Sequence, residues 1–178
     1  SVVATNPVTV TPTFTVCEGA NLNLISSATS AVSYSWNGPG VYTSALQNPT
    51  VTAILPAGAG NYSATAFFTN GFLTCTTSAV SNVSVVATPT IAVVYPANIC
   101  QNATANLSAA APGAISYSWL GPNSFNSSIA APTIPAIQPA SAGVYSTTAL
   151  FSIGTLTCSK TTTNQINVVG TSTVNVTP

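Results

Sequence analysis

Ser33-Tyr34-Ser35-Trp36-Asn37-Gly38-Pro39 returns as Ser116-Tyr117-Ser118-Trp119-Leu120-Gly121-Pro122, displaced by 83 positions. The same displacement carries Cys17 to Cys100, Pro49 to Pro132, Ala59-Gly60 to Ala142-Gly143, Tyr62 to Tyr145, Gly71 to Gly154 and Cys75 to Cys158. Between the cysteines no gap is needed, and 30 of 59 aligned residues are identical. Repetition at this period points to one small unit built twice. In each Tyr-x-Trp copy the aromatics alternate with serine, the period of a strand with one buried and one wet face. Val32, Tyr34 and Trp36 fall on one side, as do Ile115, Tyr117 and Trp119.

Short apolar runs bounded by turn residues predict strands near 7–11, 13–17, 20–25, 31–36, 50–55, 62–69, 72–77 and 80–87 of the first copy. Asn70-Gly71 is a two-residue hairpin signal, and Ile153-Gly154 keeps the glycine but not the asparagine. No helical period of useful length competes. The expected fold is all-β: two tandem sandwiches, over about 6–88 and 89–171. Ser1-Val2-Val3-Ala4-Thr5 recurs as Ser84-Val85-Val86-Ala87-Thr88, and Val174, Val176 and Pro178 match Val8, Val10 and Pro12. Residues 1–5 therefore read as the end strand of a preceding repeat, and 172–178 as the first strand of a following one.

Charge is almost missing. Hydrophobic residues make up 46% of the chain and charged residues 1%, against a usual charged share of about 25%. No apolar run approaches the ~20 residues of a spanning helix, and an 83-residue repeat with one Trp and two Cys is foreign to a membrane barrel. Disorder is disfavoured as well, because disordered chains are poor in aromatic and β-branched residues and rich in charge.

Four cysteines allow three pairings. The 58-residue spacing common to both copies favours one internal disulfide in each, Cys17–Cys75 and Cys100–Cys158. Zinc is the alternative, but no CxxC spacing or histidine accompanies these residues. Disulfides imply an oxidising compartment outside the cytoplasm.

Cys17, Tyr34-x-Trp36, Gly38-Pro39, Pro49, Ala59-Gly60-x-Tyr62 and Cys75, with their second copies, resemble the Ig-like and PKD-like repeats of large secreted surface proteins of Bacteroidota. The resemblance implies two tandem Ig-like β-sandwich domains, export to the cell surface, and a role as stalk, filament or adhesin module. Gly-x-Tyr is similar to the tyrosine corner of immunoglobulin domains. There the second cysteine follows the tyrosine by two residues, whereas Cys75 follows Tyr62 by 13. This departure leaves open which strands the bridge joins, but not the sandwich itself.

The chemistry is mostly one of exclusion. One Glu, one Lys and no His give acid–base catalysis nothing to work with, and no serine has a base at hand. Glu18 aligns with Gln101 and Lys160 with Thr77, so neither charge belongs to a repeated site. Calcium sites need several carboxylates and nucleic acid needs Lys or Arg, so no metal, cofactor or nucleic-acid partner is expected. Tyr34, Trp36 and Tyr62, with Tyr117, Trp119 and Tyr145, are expected in the core. Tyr42 and Phe125, in the stretch after Gly-Pro, are the aromatics expected to be exposed and to contact a glycan if one binds. Glycosylation triplets begin at Asn61, Asn82, Asn102, Asn106, Asn126 and Asn175, and a sugar coat there would supply the solubility that charge normally provides.

Two functions follow as expectations. The first is a non-enzymatic structural repeat of an extracellular filament, stalk or surface fibre, its partner being itself, through tandem continuity or exchange of terminal strands. The second is an adhesin module that binds carbohydrate through exposed aromatics.

Overall fold

In a computed structural model the described residues are 4–171. The expected end strands over 1–5 and 172–178, and Asn175, fall wholly or largely outside them. Ala4 and Thr5 are exposed and belong to no strand. The chain divides between Ala87 and Thr88 into two compact units, one residue before the expected boundary.

The first unit is built of nine strands: β1 (Thr9–Val10), β2 (Thr13–Cys17), β3 (Leu22–Asn23), β4 (Ser26–Ser27), β5 (Ser33–Gly38), β6 (Tyr42–Ser44), β7 (Thr50–Val51), β8 (Gly60–Thr69) and β9 (Thr74–Val86). Five of them form one sheet in the order β2-β9-β8-β5-β6. All its neighbours are antiparallel except β2 and β9, which run parallel. Two short ladders, β1 with β4 and β3 with β7, cover the other side of the core. This is an Ig-like sandwich.

Strand alternation decides what is inside. Along β8, Tyr62, Ala64, Ala66 and Phe68 are buried and Ser63 and Thr65 are not. Ala64 lies opposite Trp36 and Ala66 opposite Tyr34, so each large ring has a small cross-strand neighbour beside it. Leu22, Leu24, Ile54 and Val83 complete the buried cluster. Val32, expected on the buried side, is exposed, because it precedes the strand that would have turned it inward.

The second unit repeats the plan with β10 (Ala92–Val94), β11 (Asn98–Cys100), β12 (Ala105–Asn106), β13 (Ser108–Ala110), β14 (Ala114–Leu120), β15 (Asn126–Ser127), β16 (Thr133–Ile134), β17 (Gly143–Ile153) and β18 (Leu156–Val169). Its five-stranded order is β11-β18-β17-β14-β15, with β11 and β18 parallel. Trp119 faces Thr147 and Tyr117 faces Ala149. Ile115, also expected inside, is exposed at a shift of register between Ala114 and Ser116.

Four other expectations change. The strands predicted at 72–77 and 80–87 are one strand of 13 residues, since nothing in Thr77-Ser78-Ala79 breaks it. The strand predicted at 20–25 is interrupted between β3 and β4, and β6 lies in a stretch without strand signals. The Asn70-Gly71 turn is longer than two residues. Thr69 pairs with Thr74, and Asn70 Oδ1 accepts the backbone N–H groups of Phe72 and Leu73 at 3.2 and 3.1 Å. An Asx-type turn has displaced the tighter one. The two-residue loop occurs instead in the second unit, where Ile153 pairs with Leu156 around Gly154.

Candidate functional site: the two ends of each sandwich

The repeated motif residues converge at one corner. The Tyr62 hydroxyl donates to the Gly58 carbonyl at 2.9 Å, and Tyr145 to Ser141 at 2.8 Å. This is the tyrosine corner, present in both units. Gly38 is required because a Cβ there would stand 2.5 Å from Tyr62 Cδ1, and Gly121 meets Tyr145 in the same way. Gly60 has φ +139°, and a Cβ on it would press on the Pro39 ring. Gly38-Pro39 and Gly60-x-Tyr62 are thus two halves of one packed corner. The Trp36 indole donates to the Gln47 carbonyl at 3.0 Å and the Trp119 indole to Ile129 at 3.1 Å, so the polar edge of each buried ring is satisfied. Tyr34 and Tyr117 are half-buried; their hydroxyls accept from the Ala28 and Ala111 backbone N–H groups.

Tyr42 and Phe125, expected to be exposed, are half-buried. Tyr42 packs edge-on against Tyr62 and Phe125 against Tyr145, each with ring centroids 5.5 Å apart. Burial of the rings pushes the phenol pKa values of Tyr42, Tyr62 and Tyr145 upward. Asn61, Asn82, Asn102, Asn106 and Asn126 are exposed. Asn82 donates to Asn61 Oδ1 at 2.8 Å, Gln138 to Asn102 at 2.8 Å, and Asn126 to the Ser124 carbonyl at 3.2 Å.

The cysteines overturn an expectation. Cys75 and Cys100 are free thiols, whereas Cys17 and Cys158 are disulfide-bonded. Neither Cys17–Cys75 nor Cys100–Cys158 forms, and the strand register gives the reason. Cys17 pairs with Val86, the last residue of β9, while Cys75 is the second residue of that strand. At ~3.3 Å per residue they stand ~35 Å apart, far beyond the ~6 Å that a disulfide spans. Cys100 pairs with Val169 at the end of β18, and Cys158 is again near its start. Each sandwich therefore carries one cysteine at its hairpin end and one at its opposite end.

The outer face of the large sheet is uncharged and rich in hydroxyls. Thr65 and Ser78 bond across strands at 2.9 Å, as do Thr148 and Thr161 at 2.8 Å. Among the described residues, no three His, Cys, Asp or Glu side chains gather where they could hold a metal ion, and no helix is long and apolar enough to cross a membrane.

No protein-family profile matches the chain, and no curated protein does. Solved structures do. Murine CEACAM1b aligns over 91% of this chain and 100% of its own, at 13% identity and TM-score 0.39. The titin domains z1z2, solved in complex with telethonin, align over 97% and 100%, at 18% identity and TM-score 0.37. A marsupial T cell receptor aligns over 99% and 76%, at 10% identity and TM-score 0.43. Likeness at this level says nothing of function. Strand order and the tyrosine corners define the fold.

Proposed function

We propose that this chain is a length of structural repeat from an extracellular filament, stalk or surface fibre, whose neighbours are further copies of the same sandwich. The observation that carries this reading is the path of the chain through each unit. In the first, Asn6 lies beside Thr77 near the start of β9, its carbonyl accepting from the Thr77 hydroxyl at 2.9 Å. The chain leaves through Val86 at the other end of that strand. A unit that receives the chain at one end and releases it at the other is suited to be strung, and the 83-residue period leaves almost no linker between units. The uncharged wall of Ser and Thr supports the same reading, because threads without like-charge repulsion pack side by side. Neighbours are supplied either by tandem continuity or by exchange of terminal strands.

The adhesin reading is the weaker one, because the two aromatics it relied on, Tyr42 and Phe125, pack against the tyrosine corners. The exposed asparagines remain candidates for a sugar coat, which intact mass of native material would reveal.

Immunogold labelling of source cells with an antibody to this chain, viewed in negative stain, tests the proposal. Labelled threads at the cell surface are expected; label on dispersed single particles, or only inside cells, overturns it. On a reducing, denaturing gel of the same material, very large species indicate continuity. A band near 17.8 kDa indicates exchanged strands.

A further inference from the structure

Asn-Gly occurs twice in the chain, at Asn37-Gly38 and at Asn70-Gly71. The two pairs sit in opposite surroundings. Asn37 and Gly38 lie within β5, where Asn37 pairs with Ser63 of β8 and Thr43 of β6, and Gly38 rests against the Tyr62 ring. Asn70 and Gly71 are exposed at the tip of the β8–β9 hairpin. Gly71 has φ +96°, and nothing stands within 4 Å of where its Cβ would be. The hydrogen bonds of that turn converge on one amide. Asn70 Oδ1 accepts from the Phe72 and Leu73 backbone N–H groups at 3.2 and 3.1 Å. The Gly71 N–H, next along the chain, donates to Thr69 Oγ1 at 3.0 Å. Two donors on a carbonyl oxygen stabilise the negative charge that develops there when its carbon is attacked. An acceptor on the neighbouring N–H draws the proton from the atom that can attack. The second unit has Ile153-Gly154 at the equivalent place, with no side-chain amide.

We propose that the Asn70 turn is a self-modifying site, at which the folded hairpin promotes conversion of Asn70 to aspartate and isoaspartate. The Gly71 nitrogen bonds to Asn70 Cγ while its proton passes by way of the Thr69 hydroxyl to solvent. The Cγ–Nδ2 bond breaks, Nδ2 takes up a proton and leaves as ammonia, and a cyclic imide remains. Water then opens one of the two C–N bonds of the imide. Opening at Cγ gives aspartate; opening at the main-chain carbonyl gives isoaspartate, with the backbone rerouted through the side chain. In sum one water is consumed and one ammonia released, with no change of oxidation state and no titrating side chain required. Each event adds a negative charge to a chain with one Glu, one Lys and a formal net charge of +0 at pH 7. In so uncharged a molecule the hairpin tip becomes a charged point, and aged copies repel one another there.

The test incubates the full chain at neutral pH, folded in buffer and, in parallel, unfolded in guanidinium chloride. Peptic mapping by mass spectrometry follows each asparagine with time, and isoelectric focusing follows the new acidic species. In the folded chain Asn70 should convert faster than it does unfolded, while Asn37, held in its strand, stays an amide. Unfolded, the two sites should convert at similar rates. Thr69→Val should slow Asn70 about fivefold in the folded chain, the share of one hydrogen bond, and leave the unfolded rate unchanged. Thr69 is exposed at the end of β8, so circular dichroism should show the fold of this variant intact. Conversion of Asn70 no faster folded than unfolded overturns the proposal. So does conversion of Asn37 at the Asn70 rate in the folded chain, or a Thr69→Val chain that keeps the wild-type folded rate.

Discussion

Thr147 is the residue at which the two copies differ to most effect. It sits under Trp119, where the first unit has Ala64 under Trp36, and both positions are fully buried. The Thr147 hydroxyl has no hydrogen-bond partner there. A buried hydroxyl left unpaired forgoes its bond to water with nothing in return, at a cost of about 1–3 kcal/mol. Thr147→Val keeps the shape and removes the hydroxyl, so it should raise the stability of the second unit by about 1–2 kcal/mol. Ala64→Thr should weaken the first unit by about as much. Thermal unfolding of the full chain checks both. The sequence already contained the difference, since the alignment sets Thr against Ala at this position. Nothing in it marked the position as fully enclosed, because strand alternation gives the side of a residue and not its depth.

At the scale of elements, the corner joining β5 to β8 is more than a turn. The Tyr62 ring lies flat on Gly38 while its hydroxyl holds Gly58. Gly38→Ala forces a Cβ into that ring and should cost about 3 kcal/mol. Tyr62→Phe loses only the hydrogen bond and should cost about 1 kcal/mol. Denaturant midpoints of the two variants should fall in that order, and the reverse order would mean that the ring is free to move. This corner was legible beforehand, because Gly-Pro and Gly-x-Tyr are sparse signals that repeat in register. The cysteine pairing was not. Equal spacing within each repeat fits a bridge inside the repeat, but spacing along the chain says nothing of distance in space. Only the pairing of Cys17 with Val86 at one end of a 13-residue strand, with Cys75 near the other, shows that the two sulfurs cannot meet. The Asn70 turn eluded sequence reading for a similar reason. A side-chain acceptor competes with the backbone, and Asn-Gly does not say which wins.

For the molecule as a whole, the shortage of charge sets the response to pH. One Glu, one Lys and no His leave no side chain whose ordinary titration falls between about pH 6 and about pH 8. The tyrosines act later. Burial raises the pKa of Tyr62 and Tyr145, so the unfolded chain gives up these protons first. Their contribution is complete below the unfolded value of about 10 and is lost as pH rises through the higher folded values. The thermal midpoint should therefore stay nearly level across neutrality and fall above about pH 10. Scanning calorimetry across that range checks it, and a fall between pH 6 and 8 would contradict it.

The parallel pairing of β2 with β9 has a mechanical side. The two strands lie near opposite ends of the unit's sequence, so traction on those ends slides one along the other. Five rungs, from Thr13 against Asn82 to Cys17 against Val86, must then shear together instead of peeling singly. In the second unit the matching lock has three, from Asn98 to Cys100. Stretched with its disulfide reduced, the chain should lengthen in two unequal steps, with the second sandwich yielding at the lower force.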